Sequence, residues 1–443
     1  MPDFAVSSDP EVQAQLDRLG ALSPGADVLG LDRISRLLDR LGNPERSLPP
    51  VFHVAGTNGK GSTCAYLRAA LEAAGHKVHV YTSPHLVRFN ERIRLGGRLI
   101  EDAVLAALLA EVLDVADGIG PSFFEVTTTA AFLAFSRTPA AACVIEVGLG
   151  GRLDATNVIA KPAITGIAQL GLDHQAFLGD SLPGIAAEKA GIAKADVPLV
   201  TLHYPAALLD RIGQVVRGVG ATWLAKGGGW DVAAYRGKLH YQDATGALEL
   251  PLPRLAGAHQ VMNAGLAIAM LRHQQAVTVP PSAIRAAMGW AEWPARLQLL
   301  AEGPLPAKLP QGATLWLDGG HNPAAARALA DHFRKQSAGR PLHIVMGLLA
   351  NKDAAGVLAP FAGSGATLHP VPVPGHAHHA PEDLARMAAD TGLRTAAAAA
   401  DVPAALDAIA VTLDPAAPAP VVLVAGSLYL AGAVLAANGT LPD

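Results

Sequence analysis

Apolar positions Leu31, Ile34, Leu38 and Leu41 recur at helical spacing, and Gly42-Asn43-Pro44 ends the pattern. A short apolar run at 51–55 predicts a strand. A glycine-rich loop follows, then a helix over 62–74 that Gly75 closes as a C-cap. Further apolar runs at 78–81, 142–147, 163–168 and 198–202 predict four more strands, separated by helical stretches. That alternation predicts a parallel sheet covered on both faces. Residues 293–312 are dense in Pro and Gly and read as a linker. Beyond them strands are expected at 314–317, 343–346, 367–371 and 421–424, with helical patterns between. The expectation is an α/β chain of two domains, 1–298 and a smaller 299–443. The alanine run at 396–400 is expected to be helix or loop and suggests no function.

At 443 residues the chain is too long for one ordinary core, which agrees with two domains. Hydrophobic residues make up 51% and charged residues 16%, a globular composition. Lys plus Arg number 34 against 38 Asp plus Glu, a net charge of −4, so nothing points to nucleic acid or an anionic membrane surface. The apolar stretches 103–116 and 427–438 are short or broken by charge and fall below the roughly 20 residues of a membrane span. The first residues, MPDFAVSSDPEVQ, lack the basic and apolar regions of a signal peptide. A cytoplasmic monomer is expected. Cys64 and Cys143 lie in apolar segments without metal-type spacing and read as buried, reduced thiols.

The chemistry begins at Gly56-Thr57-Asn58-Gly59-Lys60-Gly61-Ser62. A strand, a glycine loop, a lysine, a hydroxyl and a helix together present backbone N–H groups to a phosphate chain. Lys60 would meet the β/γ-phosphates, and Ser62 would place a hydroxyl near a metal. The general phosphate-loop spacing is not met, because Gly61 separates Lys60 from Ser62. Ser83, Glu146 and His174 each fall at or just beyond the carboxyl end of an expected strand, the edge where open parallel sheets bind ligands. Glu146 ends an apolar run, where a carboxylate calls for a cation. His174 reads equally as a ligand or as a hydrogen-bonded loop residue, since Mg²⁺ prefers oxygen. Gly148-Leu149-Gly150-Gly151 fails the dinucleotide fingerprint at Leu153, so an oxidoreductase is rejected.

Read together, the segments LGNP (41–44), GTNGKGS (56–62), TSPHL (82–86), FNERI (89–93), FFEVTT (123–128), EVGLGGRLDATN (146–157), GLDH (171–174), EKAGI (188–192), HQVMNA (259–264), WPARLQ (293–298), LDGGHNP (317–323) and GSLYL (426–430) run in order along the chain. They resemble the bifunctional dihydrofolate synthase/folylpolyglutamate synthase family, relatives of the Mur ligases. The unusual loop matches that family's own version.

The resemblance implies a P-loop, parallel-sheet, ATPase-like first domain and a smaller Rossmann-like α/β second domain. It implies ATP phosphates at Asn58, Gly59, Lys60, Gly61 and Ser62. Two Mg²⁺ sites would use Ser83, Glu146 and His174, and Lys189 as a carbamoylated lysine; from the residues alone, Lys189 reads as a helix-surface cation. Nucleotide contacts are implied for Asn263, Arg296 and Asp318. The pterin is implied near Gly30 and Leu31, at Phe123 and Phe124, and at Leu153, Asp154 and Ala155. Aromatic faces and one acid suit a flat heterocycle with an amino-pyrimidine edge. His321 and Ser427 are implied to meet the incoming glutamate or the γ-phosphate.

Two departures stand out: Ala295 where the family often has Gly, and Gly320 where Ala is usual. His376, His378 and His379 form an unusual loop, read as a solvated turn rather than a transition-metal site.

The expected chemistry is ATP-dependent. A carboxylate of dihydropteroate or a reduced folate attacks the γ-phosphorus, and the acyl phosphate then takes the amino group of L-glutamate. No residue stands out as the base for the glutamate ammonium. The rival classes are a hydrolysing phosphate-loop switch, which would need no carboxylate, and a Mur-type peptidoglycan ligase with an extra N-terminal substrate domain.

Overall fold

The computed structural model describes residues 5–22, 28–413 and 417–443. Residues before Asp32 contribute helix α1 (Pro10–Leu22); α2 (Asp32–Arg40) follows, as its apolar spacing requires. The first sheet is built from β1 (Val51–Ala55), β2 (Val78–Tyr81), β3 (Ile93–Leu95), β4 (Arg98–Leu99), β5 (Ala142–Glu146), β6 (Ile164–Ile167), β7 (Pro198–Thr201) and β8 (Thr222–Ala225). Its order is β4-β3-β2-β5-β1-β6-β7-β8, parallel from β2 to β8 and antiparallel only at β3 and β4. β1 and β5 are buried at every position, which is why their sequences are continuous apolar runs rather than alternating ones.

The covering helices are α3 (Lys60–Ala73), α4 (Asp102–Asp114), α5 (Phe123–Arg137), the short α6 (Gln175–Leu178), α7 (Leu182–Ala190), α8 (Ala206–Val219), α9 (His259–His273) and α10 (Pro281–Trp290). Helix α5 starts with a reciprocal capping box between Ser122 and Glu125.

A small antiparallel sheet, β9 (Trp230–Tyr235), β10 (Lys238–Asp243) and β11 (Gly246–Pro251), is an addition the sequence reading did not anticipate. Its first turn, Arg236-Gly237, has positive φ at both residues (49° and 75°), the geometry of a two-residue hairpin turn.

The chain divides into two compact units, one of Met1–Arg254 and Gln260–Glu292 with Asp443, the other of Leu255–His259 and Trp293–Pro442. The second unit thus begins at Trp293, ahead of the expected division at 298/299, and it also claims Leu255–His259. Much of the expected linker is structured: β12 (Gln298–Leu300) pairs antiparallel with β13 (Thr314–Leu317). Leu297 packs in the second unit's core, so this stretch is held by burial despite its Pro and Gly content.

The second sheet continues through β14 (Leu342–Met346), β15 (Thr367–Pro370), β16 (Arg394–Thr395) and β17 (Val421–Ala425), in the order β12-β13-β17-β14-β15-β16. Its helices are α11 (Pro323–Gln336), α12 (Ala354–Leu358), α13 (Pro381–Asp390), α14 (Val402–Thr412) and α15 (Leu428–Ala437). The alanine run after β16 is loop. Among the described residues no helix is long and apolar enough to cross a membrane.

Candidate active site

The glycine loop leaves the carboxyl end of β1 and is tied to the neighbouring β6 loop. The N–H groups of Thr57 and Asn58 donate to the Gln169 carbonyl at 2.7 and 3.2 Å, and the Thr57 hydroxyl donates to Gly171 O at 3.0 Å. Gly59 stands at the entrance of α3 with φ +85°, in the left-handed region that favours glycine. A Cβ there would also lie 2.4 Å from Asn263 Oδ1, so any larger residue would have to displace the Asn263 amide. No side chain caps α3. As at any helix start, the first amides, those of Lys60, Gly61 and Ser62, lie at the positive end of the helix dipole, an arrangement suited to an anion.

Charge gathers around this loop. Lys60 Nζ lies 3.2 Å from Gly56 O, 3.4 Å from Thr57 O and 3.8 Å from Glu146 Oε1. Glu146 is the last residue of β5 and is only 5% exposed. Lys189, in the last turn of α7, is equally buried, and its amine donates to Gly56 O at 2.9 Å. Burial, and then the nearby charge of Lys60, pull the Lys189 ammonium down to about 7, against the opposing influence of Asp173 and Asp154. Lys189 is thus no helix-surface cation; it sits under the phosphate loop.

Ser83 follows β2 and is half-buried, and His174 follows β6 at the entrance of α6, exposed and with φ +52°. Strands β2, β5, β1 and β6 are consecutive in the parallel sheet. Ser83, Glu146, the glycine loop and His174 therefore issue from the same edge, as the strand-end reading requires. Among the described residues no group of three or more His, Cys, Asp or Glu is clustered for a metal.

The residues implied for the pterin separate into two kinds. Phe123 belongs to the hydrophobic core, edge-on to Phe89 at 6.0 Å and under the Arg92 guanidinium. Phe124 is half-buried, its ring 6.0 Å from Tyr81, and it covers Gly148 so closely that a Cβ there would stand 2.3 Å from the ring. Of the pair, Phe124 is the one with a face to offer.

Asp154 is buried and has a structural task. Its carboxylate accepts the N–H of Leu149 at 2.8 Å, and the N–H and hydroxyl of Thr156. Burial raises its pKa while these hydrogen bonds hold it down. Leu153 is half-buried and Ala155 is core. Leu31 caps α2, following Gly30; two residues on, Arg33 donates to Glu125 Oε2 at 2.9 Å, so α2 is clamped to the start of α5.

Within the second unit, Asp318 ends the β13 segment and is buried. Its two oxygens accept the N–H groups of Leu297 (2.8 Å) and Gly320 (2.7 Å). Arg296 Nη1 donates to Ala295 O at 3.0 Å. Ala295 holds φ +55°, which explains why glycine suits this position. At Gly320, by contrast, a Cβ would lie 2.8 Å from Asp318 Oδ1. His321 Nδ1 lies 2.9 Å from Gly319 O. Ser427 is buried and accepts the Tyr429 N–H as the N-cap of α15. One ring nitrogen each of His376, His378 and His379 contacts a separate backbone carbonyl, those of Pro374, His376 and Lys352.

Two groups near the loop escaped the sequence reading. Gln260, fully buried, donates its amide to Ser62 Oγ at 3.2 Å and accepts from Asn263 Nδ2 at 3.0 Å. His53, in the middle of β1, contacts Thr156 Oγ1 at 2.8 Å, and burial depresses it to about 3. An apolar strand or helix gives no local sign of such long-range partners.

A helix start suited to an anion, with a buried carboxylate and two lysines beside it, is the candidate site of the first unit. Residues 296–428, within the second unit, match the Mur ligase, glutamate ligase domain family. A folylpolyglutamate synthase of Lacticaseibacillus casei is 33% identical over 420 residues, covering 91% of this chain and 92% of that protein. A probable bifunctional folylpolyglutamate synthase/dihydropteroate synthase of Halobacterium salinarum is 36% identical over 90% of this chain, which spans only 48% of that longer protein.

The structure of E. coli FolC in complex with DHPP and ADP superposes with a TM-score of 0.86 at 32% identity, covering 97% of both chains. A Yersinia pestis bifunctional folylpolyglutamate synthase/dihydrofolate synthase complexed with AMPPNP and Mn ion gives 0.84 at 32% identity, covering 97% of this chain and 98% of that one. The chain belongs to the dihydrofolate synthase/folylpolyglutamate synthase family and is an ATP-dependent glutamate ligase.

Proposed function

We propose that the chain converts the carboxylate of dihydropteroate, and of reduced folates, to an acyl phosphate and joins it to the amino group of L-glutamate, releasing ADP and phosphate in the cytoplasm. The observation that carries this reading is the set of Lys60, Glu146 and Lys189 gathered about an uncapped helix start. The related E. coli protein holds DHPP and ADP, and the Yersinia protein AMPPNP and Mn, which supports ATP, a pterin and a divalent metal here.

The donor set fits a hard cation. Glu146 and Ser83 supply oxygen, and Mg²⁺ takes few protein ligands, the rest being phosphate and water oxygens. We assign Ser83, Glu146 and His174 to one Mg²⁺, and a carbamoylated Lys189 to a second. Addition of CO₂ to the neutral Lys189 amine forms an N–C bond, releases one proton from the nitrogen and leaves an anionic carbamate, an oxygen donor in place of an amine. When bound, Mg²⁺ offsets phosphate charge and orients the triphosphate.

The amides of residues 60–62 and the Lys60 ammonium stabilise the negative charge that spreads over the transferred phosphoryl oxygens. Phe124 offers a ring face to the pteridine, and Asp154, with three of its acceptor positions used internally, has capacity for one more donor. Asn263, Arg296 and Asp318 are the nucleotide contacts in this reading, and His321 and Ser427 serve the glutamate side.

The acyl phosphate step has an isotopic signature. With ¹⁸O in the pterin carboxylate, one ¹⁸O is expected in the released inorganic phosphate. Phosphate free of label would rule the acyl phosphate out.

A further inference from the structure

We propose that Gln260 is a positioning residue for the phosphate loop, fixing the direction of the Ser62 hydroxyl and hence the affinity for the magnesium-nucleotide. It deepens the reading that Ser62 meets the phosphate–metal end of ATP, and it rests on that reading.

Gln260 lies in the first turn of α9, fully buried, and its two polar atoms are both engaged. Asn263 Nδ2 donates to Gln260 Oε1 at 3.0 Å, so the Gln260 nitrogen is the atom that faces Ser62 Oγ, at 3.2 Å. Asn263 Oδ1 in turn packs against the bare Cα of Gly59, where a Cβ would come within 2.4 Å. An amide oxygen suits that contact with a Cα–H better than an amide N–H does. The orientations of the two amides are therefore coupled: Gly59 selects the Asn263 rotamer, Asn263 selects that of Gln260, and Gln260 donates to Ser62.

A hydroxyl has one proton and two lone pairs. With one lone pair occupied by Gln260, the Ser62 proton is free to donate elsewhere, and the second lone pair is free to accept or to ligate. Ser62 is itself buried at the start of α3, so it has little freedom to find this orientation without help. Glycine at 59 thus shapes the phosphate site twice, through its own backbone and through the clamp from α9.

The test uses the full-length protein and calorimetric titration with a non-hydrolysable ATP analogue, with and without Mg²⁺, alongside KM values for ATP and glutamate and thermal melts. Gln260→Met keeps the length and removes the donor. It is expected to weaken analogue binding in Mg²⁺ about tenfold and to raise the KM for ATP, leaving the KM for glutamate near its wild-type value. Gln260→Glu reverses the bond, because a carboxylate draws the Ser62 proton to itself. It is expected to weaken binding more than Gln260→Met does, although it preserves the acceptor for Asn263.

Ser62→Ala separates the two levels of the argument. If Ser62→Ala leaves analogue binding unchanged, the underlying assignment of Ser62 fails. If Ser62→Ala weakens binding and Gln260→Met does not, the positioning role fails. A parallel loss of affinity for ATP and glutamate with a lowered melting temperature would make Gln260 a packing residue only.

Discussion

Lys189→Ala is expected to lower kcat for amide formation by about 10²–10³-fold, and added bicarbonate is expected not to restore it. The variant loses the amine that would take up CO₂, so no external source of carbonate replaces the group. The native side chain is suited to the reaction because burial favours the neutral amine and brings its pKa down to about 7. An exposed lysine, by contrast, stays protonated to about 10.4. In the metal-free protein the amine is therefore mostly charged below about pH 7 and mostly neutral above it, so carbamate formation increases as pH rises through that value. ¹³C NMR in labelled bicarbonate is expected to show a carbamate signal in the wild type that grows across this range and is absent from Lys189→Ala. Wild-type turnover in the variant would exclude the carbamate.

Lys60→Ala is expected to cost a similar 10²–10³-fold in kcat, or about 3–4 kcal/mol of transition-state stabilisation. The Lys60 ammonium is held by the loop carbonyls of Gly56 and Thr57 and lies beside Glu146, so its charge is in place before substrate arrives. Preorganised charge of this kind acts on the transition state without reorganising. Lys60→Arg is expected to rescue little, because a planar guanidinium does not fit a site shaped for a compact point charge. Steady-state rates of ADP release with both acceptors present measure both variants. Rates within a few-fold of wild type for Lys60→Ala would remove this lysine from the chemistry.

The buried parallel strands of the first sheet, β1, β2, β5, β6 and β7, were legible as largely apolar runs, and the strand-end rule then brought Ser83, Glu146 and the glycine loop to one edge, whereas the more exposed β8 and the two-residue β16 were missed. The hairpins of the small antiparallel sheet also left a signal. Arg236-Gly237 between alternating segments is a two-residue turn pattern, but more than half of the strand positions are exposed and several of these are Ala, Gly or Pro, which lowered the contrast with loop. The division between units was placed late because Pro and Gly content was read as linker, whereas the strand Gln298–Leu300 is fixed by pairing to Thr314–Leu317.

Within the site, residue type was more legible than residue task. Phe123 and Phe124 are adjacent and chemically identical, and only the packing of Phe123 against Phe89 separates core from candidate contact. Ser427 was read as a group for the glutamate or γ-phosphate and Asp318 as a nucleotide contact, yet each also completes a local hydrogen-bond pattern, a helix cap in one case and a loop closure in the other. Gln260 lies in the recognisable HQVMNA segment but was given no role, and His53 gave no signal, since Ser62 and Thr156, which they meet, lie far away in sequence. Lys189 was assigned by resemblance alone. Its burial beneath Gly56 supplies the physical reason that the sequence lacked.

The central claim is that this site makes an amide between a pterin carboxylate and glutamate at the expense of ATP. The most direct measurement is ATP-dependent incorporation of radiolabelled L-glutamate, run in parallel with dihydropteroate and with a reduced folate as acceptor. Labelled product with both acceptors, each strictly dependent on ATP and a divalent metal, is the expected result. Product with one acceptor alone would restrict the chain to a single synthase activity, and ADP release with no labelled product from either would contradict the account.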